Sequence, residues 1–393
     1  MNSFFTGQPV VLFIHNKYLY QGGEDSVVFN EMDLLKKAGV RVFYKEYNNH
    51  TFSKKNLFAL PAAGLRFFFN ISSFFSVYRF IRRNQVNTVH VHNFFYNASP
   101  SVFWAAKLAG AVTVFSVHNY RLFCLNALFF RAGGNCMDCV NNKSFKPGIR
   151  HKCFKSSSLL SRILAGATML HRNIGTWRNK VDHFLVLNPL MKSLLVQTGV
   201  NEEKIHVKPN FLSWHGYTDY SRREDFYLYI GRLDEVKGIR HVFETFRSSG
   251  KKLVIAGEGE LVSYIRSGLS ENIEYLGQQT KEEIVSLLQR CRAFIFSSLL
   301  LEGMPMTIIE AQAAGAITIA GSSPTTESMI SDAANGFLYE AGNQASLAAA
   351  ISRLEELQPE TLNRISANAY STYMNRYHEN GHLATLRQVY ERG

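Results

Sequence analysis

The sequence has 393 residues, which at roughly 100 to 200 residues per domain favours two domains. Apolar residues make up 46% of the chain and charged residues 19%, and these values exclude a disordered, collagenous or coiled-coil protein. Lys and Arg number 43 against 31 Asp and Glu, so the net charge of +12 indicates an anionic partner such as nucleic acid, a nucleotide or an acidic lipid.

The positive charge lies in the first half. Up to Leu212 the chain has 26 basic and 9 acidic residues, a balance of +17; beyond it there are 17 basic and 22 acidic residues, a balance of −5. Between Asn48 and Val181 the only acidic side chain is Asp138. The first half is therefore expected to face a polyanion or an anionic membrane.

The hydropathy pattern of the sequence predicts neither a membrane span nor a secretion signal. No run of 18 apolar residues occurs, and residues 1–9 lack the basic and apolar regions of a signal peptide. We expect the protein to be cytoplasmic and peripheral on the inner face of the plasma membrane.

Short β-branched and aromatic runs alternate with amphipathic stretches, which predicts two doubly wound α/β domains. The expected boundaries are 1–210, 211–370 and a C-terminal helical segment, 371–393, that packs back on the first domain. Asp25 and Ser99 are expected to cap helices. The predicted strands are Val10 to His15, Val40 to Tyr44, Thr88 to His92, Val112 to Val117, His183 to Leu187, Phe226 to Ile230, Leu253 to Ala256, Ile273 to Leu276, Ala293 to Phe296 and Ile317 to Ala320.

An aromatic stretch from Leu65 to Arg83 has helical periodicity. One interpretation is an ordinary helix that packs Phe67, Ile71, Phe74, Tyr78 and Ile81 on the sheet. The other is a helix with exposed Phe and Arg that rests on a membrane or lines an acceptor groove.

The strand from Phe226 to Ile230 leads into Gly231-Arg232-Leu233-Asp234-Glu235-Val236-Lys237-Gly238. Glycines at such a turn let backbone N–H groups approach an anion, and Arg232 and Lys237 are two cations that can hold a diphosphate. A tight turn with two solvated charges is the alternative.

The strand from Ala293 to Phe296 is followed by Glu302-Gly303-Met304-Pro305-Met306-Thr307-Ile308-Ile309-Glu310-Ala311. A helix starting near Met306 directs its free N–H groups at a ligand. Glu302 and Glu310 then flank that site, and a carboxylate accepts hydrogen bonds from two vicinal hydroxyls. This arrangement suits a sugar nucleotide, although two structural glutamates are the alternative.

These two segments resemble the donor site of glycosyltransferase family 4, which comprises retaining enzymes of GT-B fold with two Rossmann-like domains facing a central cleft. Gly22-Gly23, His118 within Ser116-Val117-His118-Asn119, and the basic aromatic first half agree with the resemblance.

The resemblance implies roles for individual residues. Arg232 and Lys237 would neutralise the diphosphate, Glu310 would hold the ribose, and Glu302 would bind the transferred sugar. His118 would contact the donor sugar, for which a buried structural histidine is the alternative. The remaining donor contacts would come from Gly22, Gly23, Gly277, Gly303, Met304, Met306 and Thr307.

The implied reaction is transfer of a sugar, with retention at the anomeric carbon, from a nucleotide-diphosphate sugar to a lipid-linked saccharide acceptor in bacterial surface-polysaccharide synthesis. No Asp-x-Asp sequence occurs, in agreement with a metal-independent site that requires no cofactor.

Arginines of the first half would contact acceptor phosphates: Arg79, Arg82, Arg83, Arg121 and Arg131. A sugar-nucleotide epimerase or hydrolase is one alternative, and a non-enzymatic polyanion-binding protein is another. No nucleic-acid-binding motif is found, so nucleic acid is not expected as a partner.

Four cysteines lie within thirty residues: Cys124, Cys136, Cys139 and Cys153. Cys-x-x-Cys is a zinc-ligand spacing, so a structural zinc ion is one interpretation. Reduced thiols packing a loop and a disulfide are the others.

Overall fold

The computed structural model describes residues 9–17, 23–48, 66–214 and 216–391. The chain divides into two compact units. The first unit comprises 1–129, 137–210 and 382–393; the second comprises 130–136 and 211–381. The second unit thus runs past residue 370, and the last helix joins the first unit from His382 onward.

The first unit contains a six-stranded parallel sheet with strand order β2-β1-β3-β4-β7-β8. Its strands are β1 (Val10–Lys17), β2 (Arg41–Asn48), β3 (Thr88–Asn93), β4 (Val112–Val117), β7 (His183–Val186) and β8 (Ile205–Val207). Strands β1 and β3 are almost completely buried, as expected when helices cover both faces of a parallel sheet. The described helices are α1 (Gly23–Lys37), α2 (Ile71–Asn84), α3 (Ser101–Leu108), α4 (Asp138–Asn141), α5 (Lys146–Arg150), α6 (Ser158–Asn173), α7 (Thr176–Asn179) and α8 (Pro189–Gln197).

The second unit contains a six-stranded parallel sheet with strand order β11-β10-β9-β12-β13-β14. Its strands are β9 (Tyr227–Ile230), β10 (Leu253–Ala256), β11 (Ile273–Gly277), β12 (Ala293–Phe296), β13 (Ile317–Gly321) and β14 (Gly336–Tyr339), and a separate hairpin pairs β5 (Phe130–Arg131) with β6 (Gly134–Asn135). The helices are α9 (Ile239–Ser249), α10 (Val262–Ser267), α11 (Lys281–Arg290), α12 (Met306–Ala313), α13 (Pro324–Met329), α14 (Gln344–Glu355) and α15 (Pro359–Arg376), and the last helix of the chain is α16 (Glu379–Glu391).

The two doubly wound parallel sheets confirm the predicted α/β fold, and all ten predicted strands are present to within a few residues. Strands β8 and β14 were not predicted. Each lies at one edge of its sheet and is only three or four residues long, so it gives little periodic signal.

Neither predicted residue occupies the capping position of its helix. Helix α1 already begins at Gly23, so Asp25 lies inside its first turn, where it is fully buried against His15 Nε2 at 2.7 Å. Helix α3 begins at Ser101, and its capping residue Pro100 has no side chain that can accept a hydrogen bond. Ser99 lies one residue before that cap, and its hydroxyl accepts hydrogen bonds from the backbone N–H of Asn70 at 2.9 Å and from that of Ser101 at 3.3 Å.

Helix α2 does not fit the interpretation in which the periodic aromatic and aliphatic side chains all pack on the sheet. It begins at Ile71, and its buried residues are Ser73, Val77 and Ile81. Ile71 is 64% exposed and Phe75 48% exposed, whereas Phe67 is buried but precedes the helix. Small and β-branched side chains at one-turn spacing form the inner face, which leaves apolar side chains on the outer one.

Candidate active site

The candidate donor site lies in the second unit, where β9 and β12 are neighbours at the centre of the sheet. Chain connections leave these two strands toward opposite edges, and such a switch point opens a crevice at the carboxyl ends of the strands. The Gly231 to Gly238 segment follows β9, and the Glu302 to Glu310 segment follows β12. The topology thus brings the two predicted motifs to one place.

Lys237 is fixed by its own loop. Asp234 Oδ1 accepts a hydrogen bond from the Lys237 backbone N–H at 2.9 Å, and Ser297 Oγ donates to the Lys237 carbonyl at 2.8 Å. The next residue, Gly238, has φ +71°, and a Cβ there would lie 2.1 Å from the Ser297 carbonyl oxygen. Only glycine allows this close approach, so the loop after β9 lies in direct contact with the residue that follows β12.

The Lys237 ammonium forms an ion pair with Glu302. Ser298 Oγ also donates to Glu302 Oε1 at 2.8 Å, and Thr325 Oγ1 donates to the Glu302 carbonyl at 2.7 Å. Arg232 is 67% exposed, with its guanidinium 3.2 Å from Asp234 Oδ2. Two cations and two carboxylates therefore lie beside the same pair of strand ends.

Helix α12 begins at Met306, which confirms the predicted helix start. Its capping residue, Pro305, offers no side-chain acceptor to the first N–H groups. Met306 and Thr307 form the first turn and are half-buried, while Gly303 and buried Met304 lie in the loop before it. Free N–H groups at a helix start attract an anion.

Glu310 lies in the second turn of α12 and is partly buried. Within the described residues, its carboxylate makes no hydrogen bond or ion pair. Burial raises the pKa of the Glu310 carboxyl, against the opposing charge of Lys281. A buried carboxylate with no protein partner costs folding free energy, which a ligand hydroxyl recovers by donating to it.

We expect Glu310→Gln to stabilise the ligand-free protein while weakening its binding of a nucleoside diphosphate, the ligand class that the sequence predicts for this site. The Glu310 pKa is raised in the folded state, so burying the ionised carboxylate lowers the free energy of unfolding. This cost is absent below the pKa that Glu310 has in the unfolded chain, and it grows as the pH rises through the pKa that Glu310 has in the folded protein. The gain in Tm should therefore be larger at pH 7.5 than at pH 4, and the Kd for the nucleoside diphosphate should rise about tenfold or more, since a hydrogen bond to a charged group contributes about 1.5 to 3 kcal/mol. Calorimetry at both pH values checks this. An unchanged Kd would contradict the assignment.

Gly277 ends β11 with φ +71°, and a Cβ there would lie 3.5 Å from Glu258 Oε1. Nearby, a Cβ on Gly257 would lie 1.9 Å from the Gly231 carbonyl oxygen. The loops after β9 and β10 are thus held in backbone contact, which shapes the side of the switch point next to Gly277, a predicted donor contact.

In the first unit, His118 directly follows β4 and is half-buried. Its Nε2 lies 2.9 Å from His92 Nδ1, and the two rings stack with centroids 5.1 Å apart. Both rings line a pocket at the carboxyl ends of β3 and β4 whose walls are largely aromatic: Phe67, Phe94, Phe95, Tyr96, Phe115 and Trp177. Arg121 also lines it, with its guanidinium 4.4 Å from the centre of the Phe95 ring.

Behind this pocket lies a buried polar cluster that the sequence analysis missed. Glu31 of α1 is fully buried, and Lys208 Nζ donates to its Oε2 at 2.7 Å. His382 Nε2 lies 2.8 Å from Oε2, and His90 Nδ1 lies 3.2 Å from Oε1. Burial alone would raise the pKa of Glu31, but Lys208 and His90 outweigh it and hold that pKa well below its usual range. The sequence feature that could have revealed this cluster is the pair of histidines, His90 and His92, which alternate with apolar residues in strand β3.

Metal-ligating side chains converge in this cluster. Among the described residues, donor atoms of Glu31, His90 and His92 lie within 4.8 Å of one another. Lys208 already supplies the positive charge that the buried carboxylate needs, which opposes a further cation there.

In the described part of the chain, the four cysteines do not form a group whose sulfur atoms lie close enough together to hold a metal ion. Cys124 is buried and its thiol donates to Asn126 Oδ1 at 2.9 Å. Cys139 and Cys153 pack against an apolar cluster that includes Leu125 and Phe154. The geometry therefore favours the interpretation of thiols that pack a loop. Metal analysis of the purified protein tests the zinc prediction.

The arginines predicted to contact the acceptor lie in three places. Arg79, Arg82 and Arg83 are exposed on α2, Arg121 lies at the aromatic pocket, and Arg131 lies in the β5 to β6 hairpin of the second unit. Of the two predicted glycines, Gly23 starts α1 and Gly22 lies outside the described residues.

Arg79 and Arg83 border an open groove beside the edge strand β2. Lys45 of that strand, Phe75 and Phe80 also line it, and the Arg79 guanidinium lies 5.6 Å from the centre of the Phe75 ring. The described residues contain no helix that is long and apolar enough to cross a membrane.

Sequence comparison with family models gives two matches. Residues 21–213 match Glycosyltransferase Family 4, and residues 219–372 match Glycosyl transferases group 1. A comparison with curated proteins found no match.

Comparison with solved structures shows the same architecture in proteins of low sequence identity. Anabaena Alr3699/HepE in complex with UDP is 14% identical, with a TM-score of 0.66 over 98% of this chain and 100% of that one. Sucrose-phosphate synthase from Thermosynechococcus elongatus is 14% identical, with a TM-score of 0.68 over 98% of each chain. The lipopolysaccharide outer core galactosyltransferase WaaB is 16% identical, with a TM-score of 0.60 over 95% of this chain and 99% of that one. Together with the two family matches, which cover most of the chain, this fold identifies the protein as a glycosyltransferase of the GT-B type.

Proposed function

We propose that the protein is a retaining, metal-independent glycosyltransferase that moves a sugar from a nucleotide-diphosphate sugar to a lipid-linked saccharide in bacterial surface-polysaccharide synthesis. The observation that carries the proposal is that Arg232, Lys237, the start of α12 and the carboxylate of Glu310 lie at one switch point. Among the described residues, that carboxylate has no hydrogen-bond or ion-pair partner. This set offers positive charge to a diphosphate and a hydrogen-bond acceptor to a ribose. The solved HepE complex with UDP has the same fold.

In the proposed reaction, the bond between the anomeric carbon and the diphosphate oxygen breaks, and the nucleoside diphosphate leaves with the electron pair. The acceptor hydroxyl bonds to the same face of that carbon and gives its proton to an oxygen of the departing diphosphate. Lys237 and Arg232 stabilise the negative charge that develops on the leaving group. Glu302, held by Ser298 and Thr325, binds hydroxyls of the transferred sugar. With these cations in place, the site uses protein charge where other glycosyltransferases use a divalent metal.

The acceptor assignment rests on the first unit. Its aromatic pocket combines flat ring surfaces, which stack on sugar rings, with the Arg121 guanidinium and His118. Arg121 is suited to a phosphate of the acceptor. The exposed outer face of α2 combines Ile71 and Phe75 with three arginines, the composition of a helix that lies on an anionic membrane surface.

We expect the double charge reversal Arg79→Glu with Arg83→Glu to weaken binding to anionic vesicles. Each basic side chain near an anionic surface contributes about 1 kcal/mol, so losing two should reduce the partition coefficient by about 30-fold. Sedimentation with phosphatidylglycerol vesicles measures it. The matched control is Lys36→Glu with Lys37→Glu, two exposed charges at the end of α1, which should change binding far less. Equal losses in both variants would indicate a nonspecific charge effect and contradict the assignment of the α2 face.

The experiment that tests the function is transfer from radiolabelled UDP-glucose, UDP-galactose and UDP-N-acetylglucosamine to a lipid extract of a polysaccharide-producing bacterium, with EDTA present. A glycosylated lipid product with the anomeric configuration of the donor is expected. Free sugar alone would indicate a hydrolase, and an altered nucleotide sugar would indicate an epimerase.

A further inference from the structure

A line of three side chains leads from the aromatic pocket into the interior of the first unit. His118 Nε2 lies 2.9 Å from His92 Nδ1, and His92 Nε2 lies 3.5 Å from Glu31 Oε1. His92 is buried in β3, with its ring stacked on Phe13 at a centroid distance of 5.1 Å. The His92 ring therefore has a fixed orientation, with one nitrogen toward Glu31 and the other toward His118.

The positions of the protons follow from the carboxylate. Glu31 is ionised because Lys208 Nζ donates to it within a fully buried pair, so Glu31 Oε1 can only accept. His92 Nε2 has no hydrogen-bond partner among the described residues and faces that oxygen, which places the His92 proton on Nε2. His92 Nδ1 is then an acceptor, and His118 must carry its own proton on Nε2 in order to donate to it.

We propose that His92 and Glu31 are positioning residues that hold His118 with its proton on Nε2, so that His118 Nδ1 accepts a hydrogen bond from a hydroxyl of the bound sugar. No described residue forms a hydrogen bond with His118 Nδ1, and its ring lines the pocket. The identity of the partner as a sugar hydroxyl rests on the proposed function. The position of the proton on His118 does not.

The direct test is the tautomer of His118 in the full-length protein. Nitrogen-15 labelling of histidine distinguishes a protonated ring nitrogen from one with a lone pair, and His118→Gln assigns the signals. The proposal predicts a proton on Nε2 in the wild type without any ligand, and a mixture of tautomers in His92→Leu. A wild-type His118 protonated on Nδ1 would overturn it, whether or not the protein transfers sugar.

The kinetic test uses two substitutions of His92 and one control. Asn places an oxygen near the position of His Nδ1, so His92→Asn should retain much of the transfer rate, while His92→Leu should lower kcat about 10- to 100-fold. His183→Leu is the matched control, because His183 lies in β7 of the same sheet and its Nδ1 contacts His206 Nε2 at 3.2 Å.

Transfer from UDP-glucose, or from whichever tested donor turns over fastest, gives kcat, and the Kd for UDP gives donor binding. A fall in kcat in His92→Leu, with an unchanged Kd and with rescue by Asn, supports the proposal. Equal losses in His92→Leu and His183→Leu, or no rescue by Asn, would show a merely structural role and overturn it. If the wild type transfers no sugar, the proposed function fails, and the tautomer measurement still decides the inference.

Discussion

Replacing Lys237 with alanine is expected to lower kcat for sugar transfer by about 100- to 1000-fold, while the protein stays folded. Removing a single group that stabilises developing negative charge costs about this much in other enzymes. The Lys237 ammonium is held by a capped loop beside Glu302, so its charge is fixed before the reaction begins. Initial rates at saturating donor measure the effect.

The matched control for this substitution is Lys251→Ala. Lys251 belongs to the same unit and also forms an ion pair with a glutamate, Glu355, but it precedes β10 at the opposite end of the sheet from the switch point. This variant should transfer sugar at close to the wild-type rate. If the two variants lose the same activity, or if Lys237→Ala loses none, Lys237 does not stabilise the leaving group.

Replacing Lys208 with methionine is expected to lower the free energy of unfolding by about 3 to 5 kcal/mol. Methionine matches the length of the buried stem, but the change leaves the Glu31 carboxylate buried without its cation, and an uncompensated buried charge has a cost of this size. Urea denaturation, followed by a probe in the first unit such as Trp177, measures it.

The double variant Lys208→Met with Glu31→Gln separates the charge from the packing. With both charges gone, much of the lost free energy should return, because the buried pair itself contributes little beyond its own desolvation. A double variant that is less stable than Lys208→Met alone would contradict this account of the cluster.

Both sheets could be predicted because buried parallel strands are short, continuous apolar runs. Strands β4, β10 and β12 begin and end at the predicted residues. The sequence also located the two segments that meet at the candidate donor site, since each combines glycine with charge in the loop that follows such a strand. Topology then accounts for their convergence, because neighbouring strands at a switch point bring their following loops together.

The buried cluster around Glu31 could not be predicted in the same way. Its members come from α1, β3, the segment after β8 and the last helix, so no local spacing relates Glu31 to Lys208 or His382. The helix caps failed for a different reason. A capping side chain such as Asp25 is also a good partner for a buried histidine, and the tertiary contact with His15 determined its position.

Isothermal calorimetry of UDP, GDP and TDP with the wild-type protein, in the presence of EDTA, tests the central claim most directly. We expect one nucleoside diphosphate to bind with a micromolar Kd, and both Lys237→Ala and Glu310→Ala to weaken it, while Lys251→Ala does not. If no nucleoside diphosphate binds, or if the three variants bind alike, the loops after β9 and β12 do not form a nucleotide-sugar site.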